Sequence, residues 1–435
     1  MDPHHDPDSL VYRIGGQWAG YELQNTFQHE VAQLLGRRNK NFPGAQPVSF
    51  AAKHINTLKE ADYYVCEKTD GIRYLMYMTA DTVNGATRDI YYLVDRKNDY
   101  YWVPNLHFPH QDCMNLPPQD PNRYQKFHTD TILDGELVED RYPDRPSVIK
   151  FLVFDCLVLD GNNLMARPLD KRLAYFKAHV LRPYRAMFEA DPVAKSSRPF
   201  ALEDKSTEFS YGLEKMFKEI IPKVKALHGN DGLIFTCKDS AYKSGTDEHI
   251  LKWKPPNENT IDFVLKITWA QTPPSPSDRD QSLQDDYLAV PEALELYVHL
   301  GSNEYAFHDH LFLTTQEWED MKSLNKPLQN NIVECYLEPP ESQNGTSGAN
   351  AQAEGRWRFH RFRDDKEDAN HVSTVDKVIE SIQDHVTEEN LLAHADEIRS
   401  AWKHRAAREQ AARKAQHGNA GPQQPQQPQP PQGKM

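Results

Sequence analysis

The sequence predicts an α+β fold in which a larger mixed domain precedes a smaller all-β domain. The prediction rests on three features. Strand-like runs, turns and two helical stretches alternate over residues 46–258. Shorter runs that are almost purely strand-like follow over residues 259–370. The length of 435 residues also favours two domains with flanking segments.

The helical elements of the first part are read from apolar spacing. Residues 1–45 form an N-terminal extension with a helix predicted over 21–35. Within the first domain, helices are predicted over 169–190 and 210–227, where apolar residues recur at helical spacing. Pro222 lies inside the second of these, so we expect a kink or break there.

The second domain is predicted from short strands separated by turn-rich segments. A small barrel of the OB type is built in this way. Two stretches rich in Pro, Ser, Asp, Gln or Gly, 272–286 and 341–355, are interpreted as mobile insertions. The predicted strands cover residues 263–268, 294–300, 332–337 and 357–363.

The C-terminal part combines helical periodicity with a low-complexity tail. Residues 371–412 are predicted to form a helical segment that packs back on the first domain. The Gln/Pro-rich residues 413–435 are predicted to be disordered. The basic stretch at 403–414 is compatible with a nuclear-import signal and equally with a charged helix face.

Composition narrows the class of protein. A net charge of −14 and a pI near 5.7 argue against a general nucleic-acid coat, so contact with RNA would need a local basic groove. Five scattered cysteines without CxxC spacing argue against a disulfide framework and favour a reducing compartment. No apolar stretch is long enough for a membrane span, so no membrane partner is expected.

Lys68 is the most informative residue, because it lies in the string EKTDGIR at 67–73 after a strand-like run. An amine that attacks phosphorus needs a fixed position, a lowered pKa and cations that neutralise phosphates. Gly71 permits a close turn and Arg73 offers a bidentate donor. A KxDG string alone has little weight, but further strings follow in order. They are LVDRK at 93–97, TILDGELV at 131–138, FLVFDCLV at 151–158, DGLIF at 231–235, LKWKP at 251–255 and WRFHRFRDDK at 357–366.

The lysine pair of LKWKP is informative by its spacing. Lys252 and Lys254 stand two apart in a strand-like run, so their side chains share one face, about 6.6 Å apart, and Trp253 points to the other. Two ammonium groups on one face repel each other unless an anion lies between them, and a triphosphate would be such an anion. An edge strand that carries lysines against aggregation is the alternative.

The ordered set resembles the covalent nucleotidyltransferases, the superfamily of mRNA capping guanylyltransferases and ATP-dependent polynucleotide ligases. KTDGIR, LKWKP and the final RxRxDK resemble the capping enzymes, and the arrangement resembles the fungal alpha subunit. The resemblance covers roughly residues 40–390. It implies a ligase-like domain of antiparallel sheets at 46–258 and an OB-fold domain at 259–370. It also implies that a lysine attacks GTP, releases pyrophosphate and passes GMP from a lysyl-N-GMP intermediate to a 5′-diphosphate RNA end, which forms the GpppN cap.

The resemblance assigns roles residue by residue, with Mg²⁺ or Mn²⁺ as the implied cofactor. Lys205 and Ser206 lie in the region where a guanine-reading contact is expected. The implied catalytic residues are Lys68 as nucleophile, Lys252, Lys254, Arg361, Arg363 and Lys366. The implied GTP-binding residues are Glu67, Thr69, Asp70, Gly71, Arg73, Arg96, Glu136, Phe154 and Asp262, and the implied metal ligands are Asp231 and Glu136.

Some of these residues have an ordinary structural alternative. Phe154 would stack on the purine, but a Phe in an apolar run more often packs in a core. Asp262 would lie near the phosphates, or would be a solvated acid that starts a strand. Arg361 and Arg363 would belong to a domain that closes over the triphosphate, or to a surface strand with local ion pairs.

Two other functions remain open at this point. An ATP-dependent RNA or DNA ligase would adenylylate the same lysine, although only 67 residues precede Lys68, too few for a DNA-encircling domain. The other function is that of a catalytically inactive scaffold on RNA polymerase.

The absence of an HCxxGxxR string predicts a separate RNA triphosphatase subunit. The other partners implied are the 5′ end of nascent RNA and the phosphorylated C-terminal domain of RNA polymerase II, with the nucleus as the location.

Overall fold

The structure, a computed structural model, describes residues 6–255, 258–273, 283–287, 289–324, 326–338 and 355–418. The strands are β1 (Gln17–Trp18), β2 (Ala45–Ser49), β3 (Tyr63–Thr69), β4 (Ile72–Val83), β5 (Ala86–Val94), β6 (Tyr100–Trp102), β7 (Thr131–Asp140), β8 (Val148–Leu159), β9 (Asn162–Asn163), β10 (Ala201–Asp204), β11 (Glu208–Phe209), β12 (Asn230–Cys237), β13 (Gly245–Trp253), β14 (Thr260–Thr268), β15 (Gln271–Thr272), β16 (Gln284–Asp285), β17 (Ala293–Gly301), β18 (Glu304–Phe312), β19 (Ile332–Glu338) and β20 (Arg356–Phe362).

The helices include two π-helical turns, Phe176–Leu181 and Met216–Ile220, and a 3₁₀ turn, Gln111–Asn115. The α-helices are α1 (Leu10–Arg13), α2 (Gly20–Leu34), α3 (Lys53–Glu60), α4 (Leu169–Tyr175), α5 (Arg182–Ala190), α6 (Pro192–Ser197), α7 (Leu213–Lys215), α8 (Ile221–Lys225), α9 (Thr315–Ser323), α10 (Val372–Gln383), α11 (Glu388–Ala393) and α12 (Ala395–Gly418).

The larger sheet of the first domain is covered on both faces. Its strands run in the order β1-β6-β5-β4-β7-β8-β10, with β9 paired to β8, and every pairing is antiparallel except β8 with β10. Along β4, Tyr74 and Met76 enter one apolar core, while Leu75 and Tyr77 enter another beneath α2. This alternation is the period of two that a strand imposes on its side chains.

The smaller sheet has one apolar face and one polar face. Its order is β11-β3-β12-β13-β2, and only β2 pairs in parallel. Val65, Leu233 and Leu251 form a core with α3 on one face. The opposite face, which carries Lys68, lines a pocket whose other wall is the larger sheet. The predicted α+β domain with largely antiparallel sheets is therefore confirmed.

The second domain is a closed barrel of five strands in the order β14-β17-β18-β20-β19. Strands β18 and β20 are parallel, and α9 connects β18 to β19. Trp318 of α9 packs into the barrel core with Phe263 and Trp357. This five-stranded barrel confirms the predicted OB fold. Of the predicted insertions, residues 274–282 and 341–354 lie outside the described residues.

The helical predictions hold with small changes at the ends. Helix α2 covers the region predicted at 21–35. Residues Leu169 to Ala190 are continuously helical, and the helix predicted at 210–227 runs from Leu213 to Lys225. Pro222 does not break that helix, because it lies in the first turn of α8, directly after the π-helical turn. A proline lacks a backbone N–H to donate within the helix. It is tolerated at this position because the preceding turn is a wider π-helical turn.

The C-terminal helices divide between the two domains. Val375 of α10 packs into the barrel core, so the prediction that the whole segment 371–412 returns to the first domain is wrong for α10. Leu391 of α11 and Ile398 of α12 enter the core of the smaller sheet. Trp253 Nε1 donates to the carbonyl of Val386 at 2.6 Å, next to these helices. Helix α12 reaches Gly418, beyond the predicted boundary at 412, and residues 419–435 lie outside the described part.

Two further predictions concern the cysteines and the membrane. All five cysteines are buried and free, so each packs as a small core residue. Among the described residues, no helix combines the length and apolar character needed to cross a bilayer.

Candidate active site

The position of Lys68 is set by strand β3 and a bulge in its neighbour β12. The β3–β12 pairing shifts register between Asn230 and Leu233, so Asp231 and Gly232 form the bulge beside the lysine. Gly232 has a φ of +143°, and a Cβ there would lie 2.0 Å from the Trp253 carbonyl oxygen. Only glycine fits that conformation and that space, so the DG dipeptide permits the bulge that aims Asp231 at Lys68.

Asp231 joins two lysines at the mouth of the pocket. Lys68 Nζ lies 2.6 Å from both carboxylate oxygens, and Lys254 Nζ lies 2.9 Å from Oδ2. Burial alone would raise the pKa of Asp231, but the positive charges of Lys254 and Lys68 outweigh it and the pKa falls below its usual value. The carboxylate is therefore ionised at neutral pH and holds both ammonium groups near one point.

Lys252 adds a third lysine and Arg96 an arginine to this end of the pocket. Burial, followed by the charges of Lys254, Lys68 and Arg96, lowers the pKa of Lys252. Lys68 and Lys254 pair with Asp231, while Lys252 and Arg96 lie close enough for their positive charges to act on the cluster, so its cations outnumber the Asp231 carboxylate. An anion bound among them would relieve the repulsion, as the spacing of the lysine pair predicts.

Deeper in the pocket, Arg73 is held in a fixed network. Its Nε and Nη2 donate to Asp134 at 2.9 and 2.6 Å, and Tyr242 donates to the same carboxylate at 2.6 Å. The guanidinium carbon lies 5.4 Å from the ring centroid of Phe154. Arg73 lines the pocket but is already paired, so its role in this state is to orient the aromatic wall rather than to supply free charge.

Phe154 and Lys205 form the other wall. Phe154 is partly exposed and lines the pocket, so the core-packing alternative for this residue is wrong. Lys205 is 6% exposed, and its Nζ lies 3.0 Å from Glu136 and donates to Thr69. Burial acts to lower the pKa of Lys205, but the Glu136 charge outweighs it and the pKa is raised. Ser206 is exposed and does not line this pocket, whereas Lys205 does.

Three residues of the Lys68 string lie elsewhere. Glu67 is buried on the opposite face of β3, with its Oε1 3.4 Å from Nε2 of His228, so its side chain does not line the pocket. Asp70 is exposed outside the pocket lining. A Cβ on Gly71 would lie 2.6 Å from Cγ1 of Val138, so this glycine serves the close approach of strand β7.

The predicted basic residues of the barrel pair within the barrel. Arg363 Nη1 lies 2.9 Å from Asp262 Oδ1, its Nη2 lies 2.8 Å from Asp365, and Arg361 Nε lies 2.6 Å from Glu334. Every residue that lines the pocket comes from the first domain, so Arg361, Arg363, Lys366 and Asp262 are not brought to it. In this state their contacts match the alternative of local ion pairs.

Sequence reasoning missed the buried charges that shape the pocket. Asp134 lies in the quoted TILDGELV string, but only Glu136 was given a role. Asp155, which lines the pocket, receives two bonds from the buried Arg172 at 2.7 and 2.8 Å. An isolated acid in an apolar strand was the available signal for Asp155. Tyr242 gave no signal, because its partners are distant in the chain.

The cation-rich mouth, the aromatic wall and the separate OB-fold barrel are the features of a nucleotidyltransferase. The family comparison agrees: the model described as "mRNA capping enzyme, catalytic domain" matches residues 13–256, and "mRNA capping enzyme, C-terminal domain" matches residues 258–392. The chain belongs to the mRNA capping enzyme family.

Relatives in several fungi are similar over nearly the whole chain. The mRNA-capping enzyme subunit alpha of Neurospora crassa is 45% identical, covering 88% of this chain and 92% of that protein. The same subunit of Schizosaccharomyces pombe is 44% identical (86% and 85%), and that of Saccharomyces cerevisiae 35% (87% and 84%). Among solved structures, the ATP-dependent DNA ligase from bacteriophage T7 in complex with ATP is similar with a TM-score of 0.32 and 14% identity, covering 74% of this chain and 98% of that one.

Replacing Gly232 by alanine tests the bulge. The added Cβ would strike the Trp253 carbonyl, so we expect Gly232→Ala to lower the free energy of unfolding by more than about 3 kcal/mol in urea denaturation. The matched control is Gly85→Ala, where φ is +78° but no atom lies within 4 Å, and about 1 kcal/mol is expected. Equal losses in the two variants would show that the close approach is unimportant.

The pair of His228 with Asp140 makes stability depend on pH. Burial acts to lower the pKa of His228, but the hydrogen bond to Asp140 and the nearby Glu67 carboxylate outweigh it and raise the pKa to about 9. A raised pKa stabilises the fold fully below the unfolded value near 6.5 and loses that contribution as pH rises through 9. His228→Gln should therefore cost on the order of 1–3 kcal/mol near pH 6 and much less near pH 9.5, in urea unfolding. A cost that does not change with pH would contradict the charged state of His228.

Proposed function

We propose that this protein is an mRNA guanylyltransferase that transfers GMP from GTP to the 5′-diphosphate end of RNA. The observation that carries the proposal is the charge cluster at the mouth of the pocket, where Lys68 and Lys254 pair with Asp231 and Lys252 lies near both lysines, in a capping-family chain. An amine on a fixed strand, beside unbalanced positive charge, is suited to attack a polyphosphate.

In the first step, Lys68 Nζ forms a bond to the α-phosphorus of GTP and the bond from that phosphorus to the bridging oxygen breaks. Pyrophosphate leaves, and the proton released from the amine has an acceptor in the Asp231 carboxylate, 2.6 Å away. Lys252, Lys254 and Arg96 are placed to balance the charge of the phosphates.

In the second step, a terminal phosphate oxygen of the RNA diphosphate attacks the same phosphorus. The phosphorus–nitrogen bond of the intermediate breaks, and Lys68 recovers a proton to leave as the amine. The product is the GpppN cap. Lysine is the leaving group in this step and the nucleophile in the first step. The same cluster around Asp231 therefore serves both steps, in which charge moves in opposite directions between the amine and the phosphate.

Asp231 fits the role of carboxylate ligand for Mg²⁺ or Mn²⁺. Magnesium takes one or two carboxylates with substrate phosphates and waters, and Asp231 is ionised and only partly buried. A bound divalent cation would polarise the phosphate oxygens and compete with Lys68 for this carboxylate, which favours a free amine. Glu136 fits less directly, since Lys205 occupies one of its oxygens at 3.0 Å.

The base end of the pocket is suited to a purine. Phe154 is partly exposed and backed by Arg73, with Lys205 Nζ 5.9 Å from its ring centroid. Stacking on this ring supplies affinity, and the Lys205 ammonium beside it is a donor placed to read an acceptor on the base edge. Guanine carries such an acceptor at O6.

The barrel residues Arg361, Arg363 and Lys366 act in a closed state under this proposal. Exposure is 61% for the Arg361 side chain, so exchange of its partner Glu334 for a phosphate costs little. Closure of the barrel over the triphosphate would exclude water and orient the pyrophosphate leaving group.

Labelling separates this function from a ligase or an inactive scaffold. Incubation with α-labelled GTP and Mg²⁺ should give a covalent GMP adduct, and α-labelled ATP should give none. Lys68→Ala should abolish the label because it removes the nucleophile, and EDTA should abolish it in the unchanged protein. The control Lys218→Ala alters an exposed lysine paired with Glu214 and should leave labelling unchanged.

Mass spectrometry of the digested adduct then identifies the modified residue. Label from ATP alone would establish the ligase alternative. Label that persists in Lys68→Ala would refute the assignment of the nucleophile, and no label from either nucleotide would refute the proposed function.

The partners follow from the same proposal. The fungal relatives are named subunit alpha, which supports a second subunit, and we assign to it the RNA triphosphatase activity. The other partners are the 5′ end of nascent RNA and the phosphorylated tail of RNA polymerase II, which places the protein in the nucleus.

A pull-down tests the polymerase contact. Phosphorylated tail peptides should retain the protein, whereas unmodified peptides should not, because the phosphates supply the charge that basic side chains recognise. A charge-matched acidic peptide of unrelated sequence is the control. Equal retention on phosphorylated and unmodified peptides would contradict this partner.

A further inference from the structure

A second cluster of polar side chains lies apart from the nucleotide pocket. Among the described residues, His110, His128 and Asp160 bring three potential ligand atoms within 4.8 Å of one another. None of the three lines the nucleotide pocket, and the proposed transfer reaction does not use them. His110 and His128 lie within the segment that connects β6 to β7, and Asp160 begins the turn between β8 and β9.

Both ring nitrogens of His128 face oxygen atoms. The ring is fully buried, with Nδ1 2.8 Å from Asp160 Oδ1 and Nε2 3.0 Å from the His179 carbonyl oxygen. A carbonyl oxygen can only accept, so the N–H of a neutral ring belongs on Nε2. The lone pair of Nδ1 then points toward the Asp160 carboxylate, which is the arrangement of two ligands around one metal ion.

His107 shows what a second ring proton, in place of a metal ion, looks like in this fold. It also lies between a carboxylate and a carbonyl, with 2.6 Å to Asp89 and 2.6 Å to the Tyr124 oxygen. Among the described residues, no third histidine, cysteine or acid joins that pair to form a possible metal site. At His128, in contrast, a second imidazole converges on the same carboxylate, with His110 Nε2 3.4 Å from Asp160 Oδ2. Two imidazoles on one carboxylate favour a shared metal ion over a lone proton.

The surroundings fix the three side chains. Asp160 has a φ of +47° and Gly161 a φ of +75°, and the Asp160 N–H donates to Thr131 Oγ1 at 2.9 Å. His110 Nδ1 accepts the backbone N–H of Asp112 at 3.2 Å, which orients its ring. The carbonyl on His128 is an outer partner of the kind that orients imidazoles at metal sites.

We propose that His110, His128 and Asp160 bind a divalent transition-metal ion, with zinc as the best fit. Two imidazole nitrogens and one carboxylate are borderline ligands that suit zinc better than magnesium. Bonds of about 2.0–2.1 Å in a tetrahedron place ligand atoms about 3.3 Å apart. His110 Nε2 lies 3.4 Å from Oδ2 of Asp160 and His128 Nδ1 lies 2.8 Å from Oδ1, and the three ligand atoms lie within 4.8 Å of one another, so small side-chain rotations would bring them to one ion. Asp160 also lines a surface pocket, which leaves room for a water as the fourth ligand.

The metal would stabilise the contact between two connecting segments of the first domain. It would tie the β6–β7 loop, through both histidines, to the β8–β9 turn, and the His179 carbonyl connects this point to the π-helical turn. The site lies on strands that continue to the pocket, since β8 also carries Phe154. Its role is structural, so loss of metal should affect stability before it affects the chemistry at Lys68.

The test measures zinc in the full-length, tag-free chain by elemental mass spectrometry after gel filtration. We expect about one zinc ion per chain. Asp160→Asn should lower the content at least about tenfold, because it removes the charged ligand while asparagine tolerates the same backbone conformation. Asp89→Asn is the matched control, since it alters the carboxylate–histidine–carbonyl arrangement at His107 and should leave the zinc content unchanged.

Melting curves of metal-stripped protein give a second readout that does not use activity. Added zinc should raise the melting temperature of the unchanged protein by roughly 3 °C or more, and should not raise that of Asp160→Asn. A protein that binds no zinc, or equal zinc in the unchanged protein and Asp160→Asn, would overturn the proposal. Loss of zinc in Asp89→Asn equal to that in Asp160→Asn would also overturn it.

Discussion

The active site depends on an imbalance of charge held in place by one strand bulge. Lys68 and Lys254 both reach Asp231, and Lys252 lies close enough that their charges lower its pKa. The cations cannot move apart, because strands β3 and β13 fix their positions on either side of β12. The fold therefore stores repulsion that a bound triphosphate would relieve, and this difference is a source of affinity for that anion.

The two ends of the pocket differ in how their charges are satisfied. At the base end, Arg73 is paired with Asp134 and Lys205 with Glu136, so the aromatic wall around Phe154 is rigid before any ligand arrives. At the phosphate end, cations exceed acids. Under the proposed function, a rigid, neutralised base end would select shape, while the charged end would attract phosphate. The division places recognition and reactivity in separate parts of one pocket.

The period of side chains along a strand explains why much of the site was predictable. Lys252 and Lys254 share a face because they stand two apart, and Trp253 packs in the core opposite, as predicted. The same period explains why the Glu67 side chain does not line the pocket, since its neighbour Lys68 takes the pocket face. Contacts between distant segments carried no such signal: Tyr242 and Asp134 lie 108 residues apart. For α10, an amphipathic pattern predicted burial but could not select the barrel as its partner.

The ion pairs within the barrel need not oppose closure of the barrel over the pocket. Arg361 is mostly exposed and pairs with Glu334, and Arg363 shares its donors between Asp262 and Asp365. An exposed ion pair contributes about 0–1 kcal/mol, so trading a carboxylate for a phosphate is close to neutral. Asp262 can keep Arg363 oriented during the exchange, because this acid is buried on β14. The pairs within the barrel thus hold the guanidinium groups in an extended, ordered form until a triphosphate offers a stronger partner.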